Sequence, residues 1–573
     1  MEPSPENRMG AVSTVAWALI FISASFILYL NTLKAPVIWD DITLLADNKP
    51  LRDISVIGRV FIDPKLFSHE PGGAMFRPIT LASFVVNYAV AGWNPIGLRI
   101  VNIVLHAFNA ILLMFLLESL LTGSMRNHFY TAVPVAMVWL ANPAHTEAVD
   151  HVSSRSVLLV TFFYLAATLL FIKWKRRSSN SRMGFGTPLC FALALMSKEI
   201  AITFPVMTLL VDALTPGEHR KTWPVHIANF AVAGGYFGLR AIMFEAPLGG
   251  NYVRPVGVNA LTQSRVVLYY MSEIFFPFRL NVNPDFSVST SLSDPRALAA
   301  VLIIAALLMA AFLYRSKSPL ISLAVFWYFL ALAPTSFIPL KRIVNEHNIY
   351  LPSIGCAILL SLIYSRLRHF KPKLLLGLFI LMAISFGSLT ITRNRAWQSE
   401  ENLWRAAVRF SPHAVLPRVH LGNIYYNSGR FSSGTSIYRT LSMDEPQSAV
   451  FRYRLGIGLF ETAQYDEAAK ALREAIRLDP KLADAYEYLG HVYLSAGKPR
   501  EAVEAYQTVK TRGLSTSTIS HNLSHALSAL GKSIQTQSGC ESALSYYRQS
   551  VNEDPTNTEA QTLLQNCQIA NSP

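Results

Sequence analysis

Two adjacent carboxylates near the N-terminus follow an apolar segment. Asp40 and Asp41 come directly after Val37, Ile38 and Trp39. A carboxylate at a boundary between water and an apolar phase can remove the proton from a hydroxyl nucleophile, and a second carboxylate beside it can orient the acceptor. Aspartate is also favoured at the start of a helix, so a solvated helix cap is the alternative interpretation.

A second polar cluster lies between residues 142 and 155. His145, Glu147 and His151 are residue types that ligate divalent metals. Their spacing differs from the His-Glu-x-x-His pattern of zinc hydrolases, however. Hydrogen bonding to a substrate is therefore the favoured role. No metal site is predicted, and metal dependence stays open.

Other ionisable residues stand where apolar stretches end. Several cations beside a bilayer suit a lipid-linked phosphate, which arginine can hold with two parallel hydrogen bonds. The alternative for each of them is snorkelling toward the membrane surface. The candidates for binding the phosphate or the substrate, besides His145 and Glu147, are Arg77, Arg155, Lys198, Glu199, Arg342, Glu346 and His347.

The elements that must position these residues are membrane spans. The 573 residues are 51% hydrophobic and 15% charged, whereas soluble domains carry about 25% charged residues. This composition excludes an ordinary soluble enzyme. Apolar runs near the length of a membrane span recur up to about Thr392 and stop at Arg393. The eleven candidate spans are 12–32, 98–121, 130–142, 155–173, 186–197, 200–214, 224–244, 297–314, 319–337, 349–365 and 373–391.

The formal net charge of +14 comes largely from short loops near residues 173–182, 220–221, 315–317 and 366–373. Lysine and arginine in short loops mark the cytoplasmic side of a membrane protein. The N-terminus is then cytoplasmic, and the segments 33–97 and 245–296 and the C-terminal region lie on the far side. Because topology accounts for the basic residues, no nucleic-acid partner is expected.

The C-terminal region repeats itself with a fixed period. Leu-Gly pairs end at Gly422, Gly456 and Gly490, a step of 34 residues (456 − 422), which is the tetratricopeptide period. In the next unit Ala543 comes seven residues late (543 − 536), which predicts a longer loop between that unit's helices. A stack of such repeats has a groove for an extended peptide. A rigid spacer or a contact between copies is the alternative.

A disulfide is predicted between Cys540 and Cys567. Cys540 begins one predicted repeat helix, and Cys567 lies late in the antiparallel helix that packs on it. Their Cα atoms could therefore approach the 4.4–6.8 Å that a disulfide usually requires. Cys190 and Cys356 would then remain as free thiols.

Several short motifs lie along the chain: Asp40-Asp41, Phe76-Arg77-Pro78-Ile79-Thr80, His145-Thr146-Glu147-Ala148-Val149, Ser197-Lys198-Glu199, Glu346 and Tyr350-Leu351-Pro352-Ser353. Together with the repeats they resemble the transmembrane and tetratricopeptide-repeat-containing O-mannosyltransferases and their prokaryotic relatives. The resemblance covers nearly the whole chain. It implies a GT-C fold and an inverting transfer of sugar, usually mannose, from a polyprenyl-phosphate donor to Ser or Thr. Asp40 would be the base, and Asp41 would orient the acceptor.

The chain departs from this family at one position. Members often have arginine directly after the glutamate that precedes the Tyr-Leu-Pro-Ser motif, and His347 stands there instead. The better candidates for a phosphate contact are therefore Arg77, Arg155, Lys198 and Arg342. The short repeat array favours a prokaryotic relative.

The sequence thus predicts an all-α protein with two domains. Residues 1–392 form a GT-C-type bundle of about eleven membrane helices, and residues 393–573 form a tetratricopeptide α-solenoid on the extracytoplasmic side. The expected partners are a lipid-linked sugar donor, an acceptor protein held in the repeat groove, and membrane lipids. A bacterial inner membrane with periplasmic repeats is favoured, or the endoplasmic reticulum with luminal repeats in a eukaryote.

Two other function classes compete with this interpretation. A transporter would place ionisable groups near the bilayer midplane, whereas most charges here stand at span ends. A non-catalytic membrane-anchored scaffold for assembling envelope or secretory complexes could use the same repeats. Eleven spans are more than an anchor needs, which favours the enzyme.

Overall fold

The computed structural model describes residues 5–67, 75–121, 125–176, 181–215, 221–243, 253–514 and 518–570, and these residues form helices without strands. The predicted all-α class is confirmed. Residues 68–74 and 245–252 of the two predicted extracytoplasmic segments, and residues 177–180 and 216–220 of the basic loops, lie outside the described residues. The chain divides into two compact units, Met1–Ser411 and Pro412–Pro573.

The first unit contains fifteen α-helices within the described residues. They are α1 Pro5–Tyr29, α2 Pro78–Ala91, α3 Pro95–Leu120, α4 Met125–Leu140, α5 Thr146–Asp150, α6 Arg155–Arg176, α7 Ser181–Leu195, α8 Phe204–Leu214, α9 Trp223–Met243, α10 Val256–Phe275, α11 Pro295–Leu313, α12 Pro319–Phe337, α13 Ser353–Leu367, α14 Pro372–Asn394 and α15 Glu400–Phe410. Proline at the first position of α2, α3, α11, α12 and α14 fixes where each begins, because its φ is already helical and its missing N–H is not needed there.

Six stretches of the described chain are helical, long and apolar enough to cross a membrane: Val15–Thr32, Pro95–Leu120, Val152–Arg176, Pro295–Leu313, Pro319–Phe337 and Pro372–Gln398. The protein is therefore a multi-pass membrane protein. The predicted spans 130–142, 186–197 and 349–365 correspond to shorter apolar helices, and a further short apolar helix, α2, lies in the segment 33–97. The number eleven stays a prediction.

The predicted span 200–214 shows why an observed helix can be shorter than the span predicted from the sequence. A 3₁₀ helix occupies Glu199–Thr203, so that α8 has only 11 residues, or about 16 Å of α-helix. An average of side-chain hydropathy does not distinguish this turn from an α-helix.

The first unit continues beyond Arg393, where the composition changes, to Ser411. The reason lies in two tryptophans, Trp397 and Trp404, which are fully buried. Their rings pack on His151 and Trp39 of the same unit. The chain after the last apolar helix is thus part of the first unit's core.

The second unit is a series of antiparallel helix pairs. They are α16 Val415–Asn427, α17 Phe431–Asp444, α18 Ala449–Glu461, α19 Tyr465–Leu478, α20 Ala483–Ser495, α21 Pro499–Thr511, α22 Ile519–Glu553 and α23 Thr558–Ala570.

Each helix pair from α16 to α22 packs glycine against a side chain of the partner helix. A Cβ on Gly456 would lie 2.6 Å from Leu472 Cγ, and one on Gly490 would lie 2.4 Å from Tyr506 Cζ. Real Cβ atoms essentially never come this close to another heavy atom. Glycine at these positions therefore sets the packing distance within the repeat.

The longer loop predicted in the fourth unit is wrong. Helix α22 continues to a break at Gly539, where φ is 84°, so the extra residues lengthen the first helix of the unit. Gly531 takes the close-contact position there, and a Cβ on it would lie 2.5 Å from Tyr547 Cε1. The predicted disulfide between Cys540 and Cys567 is confirmed.

Candidate active site

The two adjacent aspartates have opposite environments. The side chain of Asp41 is 1% exposed and that of Asp40 is 45% exposed. Asp41 accepts hydrogen bonds from the backbone N–H groups of Val152, at 2.9 Å, and Ser153, at 2.7 Å. These N–H groups open the helical stretch Val152–Arg176, and the N-terminus of a helix attracts negative charge.

Asp41 is thus a cap for a helix more than a hundred residues away in the chain. It also occupies the N-cap position of the short helix Ile42–Ala46, but its side chain makes no capping hydrogen bond there. For Asp41, the solvated local cap considered from the sequence is therefore wrong. Because Asp41 has almost no exposed surface, it does not contact the acceptor directly. If it orients the acceptor, it does so by fixing the position of Asp40.

Trp39 holds the chain in the conformation that separates the two carboxylates. Its φ of 58° lies in the left-handed region, which is a strained conformation for a bulky residue. Three contacts hold the ring there: it stacks on His151 at 5.3 Å, meets Trp404 edge-on at 5.2 Å, and lies 4.2 Å from the Arg342 guanidinium. No role for Trp39 was predicted from the sequence, although its place directly before the acidic pair was a signal.

A cationic cluster lies around Asp40. Arg342 Nη2 is 3.6 Å from Asp40 Oδ2. Lys198 is 7% exposed, and no carboxylate in the described part of the chain lies within ion-pair distance of its Nζ. Burial, together with the positive charge of Arg77 and Arg342, lowers the pKa of Lys198 to about 7, even though Glu199 and Glu147 oppose the shift. A buried cation with cationic neighbours is a site for an anion.

Glu199 holds Arg77 beside this lysine. Arg77 donates to Glu199 Oε2 from Nε at 3.1 Å and from Nη2 at 2.9 Å. Arg240 Nη1 lies 3.7 Å from the other oxygen. Glu199 thus orients two arginines. Because two arginines share its charge, the cluster keeps a positive balance.

A buried pair of carboxylates forms the other wall of the site. His347 Nδ1 lies 2.6 Å from Glu147 Oε1, and the backbone N–H of Glu346 donates to Glu147 Oε2 at 3.1 Å. Burial lowers the pKa of His347 to about 4, so its neutral ring donates from Nδ1. Burial alone would raise the pKa of Glu147, but His347, Arg342 and His151 more than offset it and lower the pKa to about 2.

Glu346 links this wall to the end of α14. Arg393 Nη2 is 3.2 Å from Glu346 Oε2. Burial, opposed by Arg393 and reinforced by the charge of Glu147, raises the pKa of Glu346 to about 7. From the sequence, Arg393 marks only the boundary where the apolar runs end. Its partner is 47 residues away, so no local pattern points to the pair.

Two predicted site residues lie away from the cluster. Arg155 is fully buried, and its guanidinium donates to Asn102 Oδ1, Asn87 Oδ1 and the carbonyl oxygen of Leu98, each at 2.9 Å. It therefore has no free face for a phosphate. His145 is also fully buried. Its ring packs on Trp139 and Tyr350 at 4.5 and 4.9 Å, beneath the site.

The remaining predicted residues come together in one place: Asp40, Arg77, Glu147, Lys198, Glu199, Arg342, Glu346 and His347. Within the described ranges, no three His, Cys, Asp or Glu side chains are grouped so that they could hold a metal ion.

The chain is similar in sequence to known proteins. A family model described as a tetratricopeptide repeat matches residues 459–497. Protein O-mannosyl-transferase F38B6.6 of Caenorhabditis elegans is 25% identical over 74% of this chain and 62% of that protein. Protein O-mannosyl-transferase TMTC1 of Homo sapiens is 24% identical over 80% of this chain and 59% of that protein.

Over most of its length the chain is similar to protein O-mannosyl-transferases of the TMTC family. It spans about three fifths of the length of the curated relatives named above. The crystal structure of MamA protein overlaps 29% of this chain and 90% of its own, with 24% identity and a TM-score of 0.24. The family resemblance predicted from the motifs is confirmed, and a prokaryotic origin stays a prediction.

Proposed function

We propose that this protein is an inverting GT-C glycosyltransferase that moves mannose from a polyprenyl-phosphate donor to Ser or Thr of a protein. The observation that carries the proposal is the exposed carboxylate of Asp40 beside Arg342, whose charge in turn acts on the buried Lys198. The names of the relatives support a mannosyl group and a protein acceptor.

The proposed reaction is a single displacement. The acceptor hydroxyl oxygen attacks the anomeric carbon while Asp40 takes the hydroxyl proton, and the bond from that carbon to the phosphate oxygen breaks. The lipid phosphate leaves with the bonding electron pair. Lys198 and Arg342 stabilise the charge that develops on the phosphate, as preorganised donors do in other transferases. Arg77, which Glu199 holds nearby, adds to the same positive field.

Asp41 acts in this proposal as a positioning residue. Its two backbone hydrogen bonds fix the chain one residue away from Asp40. Trp39 fixes the chain on the other side. A general base must lie within hydrogen-bond reach of the proton it removes, so the rigidity of both neighbours serves the geometry of Asp40.

The repeats supply the acceptor site in the same proposal. A groove in the second unit would hold an extended Ser/Thr-containing segment, on the extracytoplasmic side where Asp40 is also expected. In a bacterium that side is the periplasm, and in a eukaryote it is the lumen of the endoplasmic reticulum. Single cysteines at the exposed positions Ser316 and Ser433, in protein lacking Cys190 and Cys356, should be labelled from opposite faces of sealed membranes. Labelling of both from one face would contradict the proposed sidedness.

The test of the transferase uses the purified full chain, mannosyl polyprenyl phosphate and a Ser/Thr-rich peptide. Asp40→Asn keeps the shape of the side chain and removes its basicity, so turnover should fall by about 10²–10⁴ with donor binding intact. Asp53→Asn is the matched control, because Asp53 is exposed in the same segment and only accepts from Ser55 N. Near-normal turnover of a folded Asp40→Asn variant would reject this active site. No mannosyl transfer by the unaltered chain would favour the scaffold.

A further inference from the structure

A second polar cavity lies near the end of α14, in the first unit. It has a volume of about 460 Å³, and four arginines line it: Arg393, Arg395, Arg405 and Arg409. No carboxylate is among the lining residues in the described part of the chain. A concave surface with this charge is suited to an anion.

The ion pairs that these four arginines form do not balance all of their positive charge. Arg393 pairs with Glu346 and Arg405 pairs with Glu401. Arg395 and Arg409 are exposed, and the described residues place no carboxylate within ion-pair distance of either. Arg393 Nε is in addition buried without a hydrogen-bond partner in the described part of the protein. The cavity therefore offers unused donors and a net positive charge.

The other walls of the cavity are apolar. Phe278, Leu280, Leu389 and Phe410 face it. A soluble inorganic anion gains nothing from these side chains, whereas a molecule with a phosphate and a hydrocarbon part buries both against matching surfaces.

An apolar groove approaches the same place from within the membrane. This groove, of about 940 Å³, runs along α1, α4 and α14 and reaches Ser388 and Ile391. Thr392 of the arginine cavity lies one turn beyond Ser388, whose carbonyl oxygen accepts a hydrogen bond from Thr392 Oγ1 at 2.9 Å. The hydrocarbon chain of a lipid held in the cavity would thus continue into a groove that fits it.

The orientation rule for membrane proteins does not explain why these arginines line the cavity. The basic residues at the other end of α14, Lys371 and Lys373, are explained by the orientation rule for cytoplasmic loops. Arg393 at the opposite end of the same helix, and the other three arginines, which follow it in the chain, are not. Because guanidinium groups bind phosphate with two parallel hydrogen bonds, a phosphate headgroup accounts for their type as well as their charge.

We propose that the arginine cavity binds the headgroup of an anionic phospholipid from the leaflet at the Arg393 end of α14. This site adjoins the candidate active site through the pair of Arg393 and Glu346, but it takes no part in the transfer reaction proposed above. It takes a structural lipid of the membrane, held by Arg395 and Arg409 together with the free Nε of Arg393.

The test titrates the purified full chain in detergent with dioctanoyl phosphatidylglycerol and follows adducts by native mass spectrometry. Unaltered protein should bind it more tightly than dioctanoyl phosphatidylcholine. Arg395→Gln, Arg409→Gln together should weaken phosphatidylglycerol binding roughly tenfold and leave phosphatidylcholine binding unchanged. Replacing both by lysine should give an intermediate loss, since charge remains without the planar fork.

The matched control removes two exposed cations elsewhere, Arg315→Gln with Lys317→Gln. Equal loss in the control would overturn the proposal, because binding would then follow total charge. Displacement of the lipid by millimolar inorganic phosphate would overturn it in favour of a soluble anion. Displacement by polyprenyl phosphate at lower concentration than phosphatidylglycerol would assign the cavity to the donor instead. If the double variant does not fold, Arg409→Gln alone serves, and unchanged binding in it would count against the site.

Discussion

The polar end of the membrane unit and the repeat array bury different kinds of groups. Around the acidic pair the interior holds ionisable residues such as Asp41, Glu147 and Lys198. The centre of each repeat holds glycine against an aromatic or aliphatic side chain, as Gly490 does against Tyr506. The stability of the first region depends on hydrogen bonds and ion pairs between polar groups. The stability of the second depends on how closely its side chains pack. Substitutions should therefore fail for different reasons in the two places.

The largest effect on stability is expected from Asp41→Ala. It leaves the N–H groups of Val152 and Ser153 without their acceptor, and each buried unsatisfied group costs about 1–3 kcal/mol. We expect a loss of about 2–5 kcal/mol in the free energy of unfolding, together with loss of transfer activity. Thermal unfolding of the detergent-solubilised chain measures the first. Asp53→Ala is the control, and an equal change in both variants would mean that Asp41 is an ordinary surface residue.

Gly490→Ala should destabilise the repeats by overpacking. The new Cβ would lie 2.4 Å from the buried ring of Tyr506, and overpacking of this kind costs about 1–3 kcal/mol. Gly497→Ala would mix in backbone strain, because φ there is +70°. The control is therefore Asp484→Ala, since Asp484 is exposed on the same helix. Urea titration of the full chain should show a clearly lower midpoint for Gly490→Ala only.

The Michaelis constant for the donor should depend on pH through Lys198. Burial and Arg77 lower the pKa of this lysine to about 7, so it is protonated at pH 6 and mostly neutral at pH 8. A cation is needed to hold the phosphate, and the phosphodiester of the donor does not itself titrate in this range. We therefore expect the donor KM to rise about tenfold from pH 6 to pH 8.

Lys198→Arg provides the control for that prediction. Arginine stays protonated at every pH in the range, so its KM profile should be flat. A pH-dependent profile in the arginine variant, with the same midpoint, would show that another group titrates.

The smallest effect is expected at an exposed ion pair of the repeats. Lys498 Nζ lies 3.3 Å from Asp466 Oδ1, with side chains 47% and 94% exposed. Such pairs contribute about 0–1 kcal/mol, so Lys498→Gln should leave the unfolding midpoint nearly unchanged. A loss as large as that of Gly490→Ala would mean that charge, and not volume, stabilises the repeats.

The same contrast explains what the sequence could predict. The repeats follow from spacing within one helix pair, so Gly456 and Gly490 stand out by period alone. The site is built from partners far apart in the chain, with 111 residues between Asp41 and Val152 and 200 between Glu147 and His347. The motifs, through their resemblance to a known family, predicted that most of these residues belong to one site.

The sequence could not predict which side chains of the site are buried. Asp40 and Asp41 are identical in type and adjacent in the chain, yet one is exposed and the other caps a distant helix. Arg155 was a plausible phosphate ligand until its hydrogen bonds to Asn102 and Asn87 placed it inside the helix bundle. Neither difference is encoded in local spacing.

The lengthened helix of the fourth repeat shows how such an array tolerates insertions. The interval from Gly490 to Gly531 is 41 residues, seven more than the earlier step (531 − 490 and 490 − 456). Seven residues are close to two full turns of an α-helix, so the glycine returns to the same face and meets Tyr547 sixteen residues on, as Gly490 meets Tyr506. An insertion of whole helical turns therefore preserves the packing of the array. An insertion of five residues would instead rotate the glycine away from its partner.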